Sequence, residues 1–390
     1  MEPSSGLYRT NLSLPYVQEA AVQSHAMDTQ ITRVGIDALL TVLWDAHGTD
    51  LLLTAGMAPQ IRVQGQLSGV PHHPVLTPDE IDASLAELLD EEQAATWQNQ
   101  HEFDFAFSWH QTARVRGNAY TQRGSTALAL RIIPLKVPTM ATLGLPPVME
   151  DFIRRPQGLV LVTGPTGAGK STTLAAMIHQ ISIDRACHII TIEDPIEYMH
   201  PHARSAVDQR EVGSDTSSFT DALRSVLRED PDVLLVGEMR DIDSIRFALT
   251  VAETGHLVFA TLHTNDTAQA LARIIDAFPH EQQGQIRVQL SAALSGIVYQ
   301  QLIPRIGGGM VAVFEVLVAN SPVRNIIHEG KTNQLRNALV TGHQDGMVTL
   351  EKSLSRLVAA GEITYQDAVT RSLYPREVEP APRRASVVSG

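Results

Sequence analysis

One cysteine in 390 residues, Cys187, leaves no partner for an intramolecular disulfide and excludes any metal site built from several thiolates. Its setting reads as that of a small buried hydrophobe beside a strand. Long apolar runs are equally scarce. The best candidate, residues 39–53, is interrupted by Asp45, His47 and Asp50, so no segment reaches membrane-spanning length. Aromatics make up only 5%, yet the hydrophobic fraction of 43% is that of a folded chain rather than a disordered one. Positive charge is also in deficit. A net charge of −13 opposes a large nucleic-acid footprint, which needs a basic face to neutralise phosphates, so no nucleic-acid partner is expected. The start, Met1-Glu2-Pro3-Ser4-Ser5, has neither a basic stretch nor an apolar core and does not read as a secretory signal, so the expected location is cytoplasmic.

What is present suggests two domains, the default for a chain of this length. Residues 1–30 are polar and without sustained periodicity, and read as a flexible arm, with Met27 where a compact domain would begin. Residues 31–133 read as a mixed α/β domain. Apolar residues recur at helical spacing over 36–47, and 59–67 (PQIRVQGQL) alternates like a strand with a turn at Gly65. Thr77-Pro78-Asp79-Glu80 carries a cap, a proline in the first turn and a glutamate three residues on, which starts a helix running toward Trp97. Residues 113–120 and 125–133 form an arginine-bearing hairpin. Pro134, Pro138, Pro146 and Pro147 punctuate a linker over 134–147. From 148 to 375, strand signals at 159–163, 188–192, 233–236 and 257–262 alternate with helical segments, predicting a mostly parallel sheet covered by helices. The region beyond Glu281 reads as mainly helical, and 376–390 as a loose tail.

The strongest local signal is Gly164, Pro165, Thr166, Gly167, Ala168, Gly169, Lys170 and Ser171, which fits G-x-x-x-x-G-K-[ST] between an apolar run and a helical segment. Glycines let the loop turn tightly enough for backbone N–H groups to face phosphate oxygens at a helix start. Lys170 then reaches the β and γ phosphates of ATP, and Ser171 offers its hydroxyl to Mg²⁺, with Thr172 beside it. Hydrolysis also needs carboxylates near strand ends. Two clusters qualify: Glu193, Asp194 and Glu197 after one strand, and Glu238 with Asp241 after another. Such residues also serve as ordinary helix caps, and it is their coincidence with the phosphate loop that singles them out. His256 and His263 flank a further strand, whose end could place one imidazole near the γ-phosphate.

Taken together these segments resemble the secretion ATPases of type II secretion and type IV pili, nearest to the pilus-retraction (PilT-type) members. GPTGAGKST (164–172) is similar to the family's Walker A, ITIEDPIEY (190–198) to its Asp box, REDPDVLLVGEMRD (228–241) to its Walker B and TGHLVFATLHT (254–264) to its His box. The resemblance covers residues from about 50 to about 350. It implies a PAS-like amino-terminal α/β domain followed by a RecA-like P-loop domain. It also implies Glu197 acting on the catalytic water, Glu238 associated with Mg²⁺, and His263, with His256 second, as the His-box imidazole. Arg116, Arg123 and Arg131 are the candidate trans arginines, with no choice among them. A homohexamer at the inner face of the cytoplasmic membrane, an inner-membrane pilus platform protein and a sister pilus ATPase are the implied partners. The lone cysteine excludes the four-cysteine zinc site of assembly-type members, and PVRNIIHE (322–329) is similar, though not identical, to a helix of the retraction type. The rivals are pilus or secretion assembly, a RecA-like nucleic-acid translocase and a non-hydrolysing accessory subunit.

Overall fold

The structure, a computed structural model, describes residues 35–381 apart from Gln64, Gln111 and Arg240. The arm expected over 1–30 and the end of the expected tail lie outside the described residues. Two sheets organise the chain, each with its own apolar cluster.

The first sheet comprises β1 (Asp50–Thr54), β2 (Gln60–Val63), β3 (Gln66–Gly69), β4 (Glu102–Trp109), β5 (Ala113–Gln122) and β6 (Ser125–Pro134), in the order β3-β2-β1-β6-β5-β4 with every pair antiparallel. Helices α1 (Ile36–Asp45), α2 (Pro78–Ala86) and α3 (Glu91–Gln100) accompany it. The helix expected to run unbroken from Thr77 toward Trp97 is in fact two. Thr77 caps α2 as expected, but Asp90 starts α3 with its own capping box to Gln93. Along β5, Ala113, Val115, Gly117 and Ala119 are buried, so Arg114 and Arg116 point to the opposite face. Gly117 is required there: a Cβ would lie 2.3 Å from the ring of Phe105. The register then lines up Arg62, Asp50, Arg131 and Arg116 in one cross-strand row, a cationic band interrupted by a single carboxylate.

The second sheet contains β7 (Gly158–Thr163), β8 (His188–Glu193), β9 (Ala206–Glu211), β10 (Val233–Val236), β11 (Leu257–Leu262), β12 (Leu294–Pro304) and β13 (Met310–Val318). Its order is β13-β12-β7-β11-β10-β8-β9, parallel except for the β12–β13 pair. Every residue of β7, β10 and β11 is buried, as expected for central parallel strands covered on both faces. Helices α4 (Val148–Arg154), α5 (Lys170–Asp184), α6 (Phe219–Val226), α7 (Ile242–Glu253), α8 (Thr267–Asp276) and α9 (His280–Ala293) are interleaved with these strands. Beyond Glu281 helices predominate, as expected, with one departure. β12 and β13 form a long hairpin before α10 (Ser321–His328), α11 (Leu335–Thr341), α12 (Leu350–Ala359) and α13 (Tyr365–Arg371). The tail expected from 376 also begins packed: Val378 is buried, and the Glu377 carboxylate accepts from Arg336. In α10, Arg324 turns back to donate to the carbonyls of Ala292 and Leu294, at 2.6 and 2.7 Å, and so satisfies orphan acceptors at the end of α9. Among the described residues no helix is long and apolar enough to cross a membrane.

Candidate functional site: a phosphate loop at the carboxyl ends of parallel strands

Because β7, β11, β10 and β8 run parallel in neighbouring positions, their carboxyl ends open on one edge. Register sets the neighbours there. Leu262 pairs with Thr163 and Val236 with Ile192, so the segments starting at Gly164, His263, Gly237 and Glu193 leave the sheet side by side. Side chains and backbone lace these exits together. Thr264 N donates to Thr163 Oγ1 at 3.0 Å, Met239 N to Thr261 O at 3.1 Å and Gly237 N to Ile192 O at 2.9 Å.

The loop from Gly164 to α5 uses glycine where nothing else fits. Gly164 has φ +148° and a Cβ there would meet Gln300 O at 2.2 Å, while Gly167 and Gly169 have φ of +77° and +82°. Gln300, buried on β12, holds the loop from the adjacent strand: its Nε2 donates to Ala168 O and its Oε1 accepts from Thr173 Oγ1, both at 2.7 Å. No side chain caps the start of α5, and its first turn has no acidic residue. Its amino end therefore keeps free N–H groups and a positive dipole end, the electrostatics of an anion site.

Lys170 is buried in that turn and donates to Gly164 O at 2.9 Å and Pro165 O at 3.1 Å. Its Nζ lies 3.5 Å from His263 Nδ1, and His263 Nε2 lies 3.3 Å from Glu238 Oε1. The ring thus stands between an ammonium on its Nδ1 side and a carboxylate on its Nε2 side. Burial lowers the Lys170 ammonium from its usual range, and Glu238 and Glu197 oppose that fall.

Ser171, Glu193, Glu197, Tyr198, Gly237 and Thr261 line one small cavity beside the loop. The two glutamates differ. Glu197 is exposed, whereas Glu193 has an enclosed carboxyl that burial pushes up to about 7 against hydrogen bonds from Thr191 Oγ1 (2.7 Å) and Gln209 Nε2 (3.3 Å). Asp194 is exposed in the same turn. Thr172 Oγ1 and Tyr198 Oη share a 3.0 Å hydrogen bond that ties α5 to the Glu197 segment.

A family model described as type II/IV secretion system protein matches residues 121–315. The type IV pilus retraction ATPase PilT of Pseudomonas aeruginosa is 45% identical over 340 residues, covering 87% of this chain and 98% of that protein. The chain belongs to the type II/IV secretion system protein family. A twitching motility protein of Neisseria gonorrhoeae is 44% identical over 80% of this chain and 84% of its own. The solved structure of the pilus retraction motor PilT with bound ADP superposes with a TM-score of 0.82 at 44% identity, covering 88% of this chain and 98% of that one.

In this family member the edge gathers Lys170, Ser171, Glu193, Glu197, Glu238 and His263, and leaves other expected residues apart. His256 precedes the six-residue strand β11 that His263 follows, so about 20 Å of extended chain separates them. Its Nδ1 lies 3.2 Å from Val251 O, a local contact at the far edge of the sheet, which corrects the expectation of a secondary site role. Arg131 is held by Asp50 at 2.7 Å, Arg116 is exposed, and Arg123 occupies the β5–β6 turn with φ +49°. The hairpin arginine that bonds across to the second sheet is Arg114, which no motif marks; its partner is Glu211. Gln300, Tyr198 and Gln209 were also missed, since neither spacing nor charge distinguishes them locally.

Proposed function

We propose that this chain hydrolyses ATP as the motor that retracts a type IV pilus, working as a homohexamer on the inner face of the cytoplasmic membrane against a pilus platform protein, with a sister pilus ATPase as a further partner. The observation that carries the proposal is the line Lys170–His263–Glu238 at the mouth of the phosphate loop. The antiparallel sheet is read as PAS-like and the parallel one as RecA-like. The residues present suit ATP, because an uncapped helix start, a glycine-shaped loop and a buried ammonium coincide. They suit Mg²⁺ through the Ser171 hydroxyl and the Glu238 carboxylate. Ser171 and Glu238 would hold the ion together with phosphate oxygens and water, and Mg²⁺ there would neutralise charge on the phosphates.

ATP with Mg²⁺ supplies the phosphoryl group whose transfer to water is the reaction. Lys170 places positive charge where negative charge develops on that group, and His263, oriented by Glu238, fixes the position of the phosphate edge. Glu197 borders the cavity and accepts the proton of the attacking water. Arg116, Arg123 and Arg131 are candidates to approach from a neighbouring amino-terminal domain as it moves about residues 134–147, which couples chemistry to displacement.

Lys170→Ala is the direct test of the chemistry: phosphate release by the purified protein should disappear, and normal turnover would end the catalytic reading. Direction is tested by deleting the gene and counting surface pili. An excess of immobile pili supports retraction; too few would assign the motor to assembly.

A further inference from the structure

One carboxylate oxygen joins the two sheets. Arg114 Nη2 on β5 donates to Glu211 Oε2 at 3.0 Å, and the same oxygen accepts the backbone N–H of Ile196 at 3.0 Å. Ile196 is buried and adjoins Glu197. The rest of Glu211 is fixed from its own side: β9 pairs with β8 so that Glu211 stands opposite Glu193, and Glu211 N donates to Asp215 Oδ2 at 2.8 Å. Both partners are well enclosed, with side-chain exposures of 20% for Arg114 and 9% for Glu211. In such surroundings a charge-assisted hydrogen bond strengthens, and a carboxylate deprived of its guanidinium is left uncompensated.

We propose that Arg114 is a positioning residue for ATP hydrolysis: through Glu211 it fixes the Ile196 backbone, and with it the placement of Glu197, whenever the amino-terminal sheet is docked. Arg114 is thereby committed to a carboxylate, unlike the exposed Arg116 and Arg123 of the same hairpin. Movement of the amino-terminal sheet breaks the Arg114–Glu211 bond and frees the Glu197 segment, so turnover is confined to the docked arrangement. The inference rests on the reading of Glu197 as the residue that handles the attacking water.

The test compares wild type, Arg114→Ala, Arg114→Lys, Glu211→Gln, Glu197→Gln and the Arg114→Ala/Glu211→Gln double variant as full chains. Each is assayed for phosphate release and for equilibrium binding of a non-hydrolysable ATP analogue, with thermal melts to confirm folding. Arg114→Ala is expected to lower kcat about tenfold to a hundredfold, the cost of a misplaced catalytic group, while analogue affinity stays within about twofold. Arg114→Lys should recover part of that loss. The double variant should be no slower than the worse single one, since both substitutions break one contact, and Arg114→Ala should add nothing to Glu197→Gln. A wild-type kcat in Arg114→Ala would overturn the inference. So would loss of analogue affinity at unchanged kcat, which marks a direct phosphate contact, and so would additive effects in the double variant. Failure of the underlying reading looks different: wild type itself would release no phosphate, or Glu197→Gln would turn over normally.

Discussion

His263 stands between opposite charges, with Nδ1 3.5 Å from the Lys170 ammonium and Nε2 3.3 Å from the Glu238 carboxylate. The ring is therefore a spacer as well as a hydrogen-bonding group, separating the ammonium from the carboxylate. His263→Ala should lower kcat for ATP hydrolysis roughly a hundredfold, in the range found when one preorganised polar group is removed from a transition state. His263→Gln, which can still accept on one side and donate on the other, should retain more activity than alanine. Steady-state phosphate release with both variants checks the order; equal rates would remove the imidazole from the chemistry.

Gly164 offers a test of loop geometry that leaves all charges in place. A methyl group there would meet Gln300 O at 2.2 Å, with φ at +148°. The backbone strain alone is of order 1–3 kcal/mol, and relieving it must move the strand end or the loop. Gly164→Ala should weaken nucleotide binding at least about tenfold, an effect of the size that strain implies. Gln300→Ala should give a milder loss, because it removes two loop-holding hydrogen bonds without forcing a clash. Titration with a fluorescent nucleotide checks both.

Glu193 gives the site a pH signature. Its carboxyl rises from an ordinary 4.5 to about 7 on folding. Between those values the folded state holds more protons than the unfolded state, so this group's contribution to stability falls as pH rises through that window. Glu193→Gln keeps an oxygen to accept from Thr191 and Gln209 and removes the charge. It should melt like wild type near pH 4 and be more stable above about pH 7.5, by roughly 1–2 kcal/mol once the residue's partial exposure is discounted. Melting curves across pH decide it, and a constant difference would mean that Glu193 does not titrate in this range.

The parts of this site legible in the sequence are those written in consecutive residues. The phosphate loop, the start of α5 at Lys170 and the strands before Glu193, Glu238 and His263 follow from spacing and apolar runs. The lateral order β7-β11-β10-β8, which brings His263 and Glu238 to Lys170, is a matter of crossovers and left no local trace. The hairpin β12–β13 leaves no clear strand signal because LSGIVYQQLIP is buried on both faces over most of its length and lacks alternation. β9 was missed for the opposite reason: AVDQRE is a polar edge strand with little apolar content. The break before α3 is marked in the sequence by Asp90 and Gln93, which have capping-box spacing. Arg114 and Glu211 lie 97 positions apart, so only the folded arrangement reveals their pairing.

The carboxyl-terminal helices depend on one guanidinium, and this can be tested without touching the nucleotide. Arg336 donates to Glu351 at 2.8 Å and to Glu377 at 2.5 Å, and lies 3.6 Å from Glu315. The side chains of Glu351 and Glu315 are only 2% and 6% exposed. Glu315 in turn accepts from Thr267 N and Oγ1 at the start of α8, which links the segment after His263 to α11 and α12. Burial raises the Glu315 carboxyl and Arg336 counters that rise. Arg336→Ala strands the Glu351 and Glu315 carboxylates away from water, and removing one partner of a buried pair costs about 3–5 kcal/mol. Because burial already raises the Glu315 carboxyl and Arg336 is one of the groups opposing that rise, the deficit should shrink as pH falls and Glu315 is protonated. An Arg336→Met/Glu351→Leu pair, apolar on both sides, should recover much of the loss. Denaturant melts of the variants at two pH values give the measurement. A loss under about 1 kcal/mol for Arg336→Ala, the size of an exposed ion pair, would show that water reaches this network.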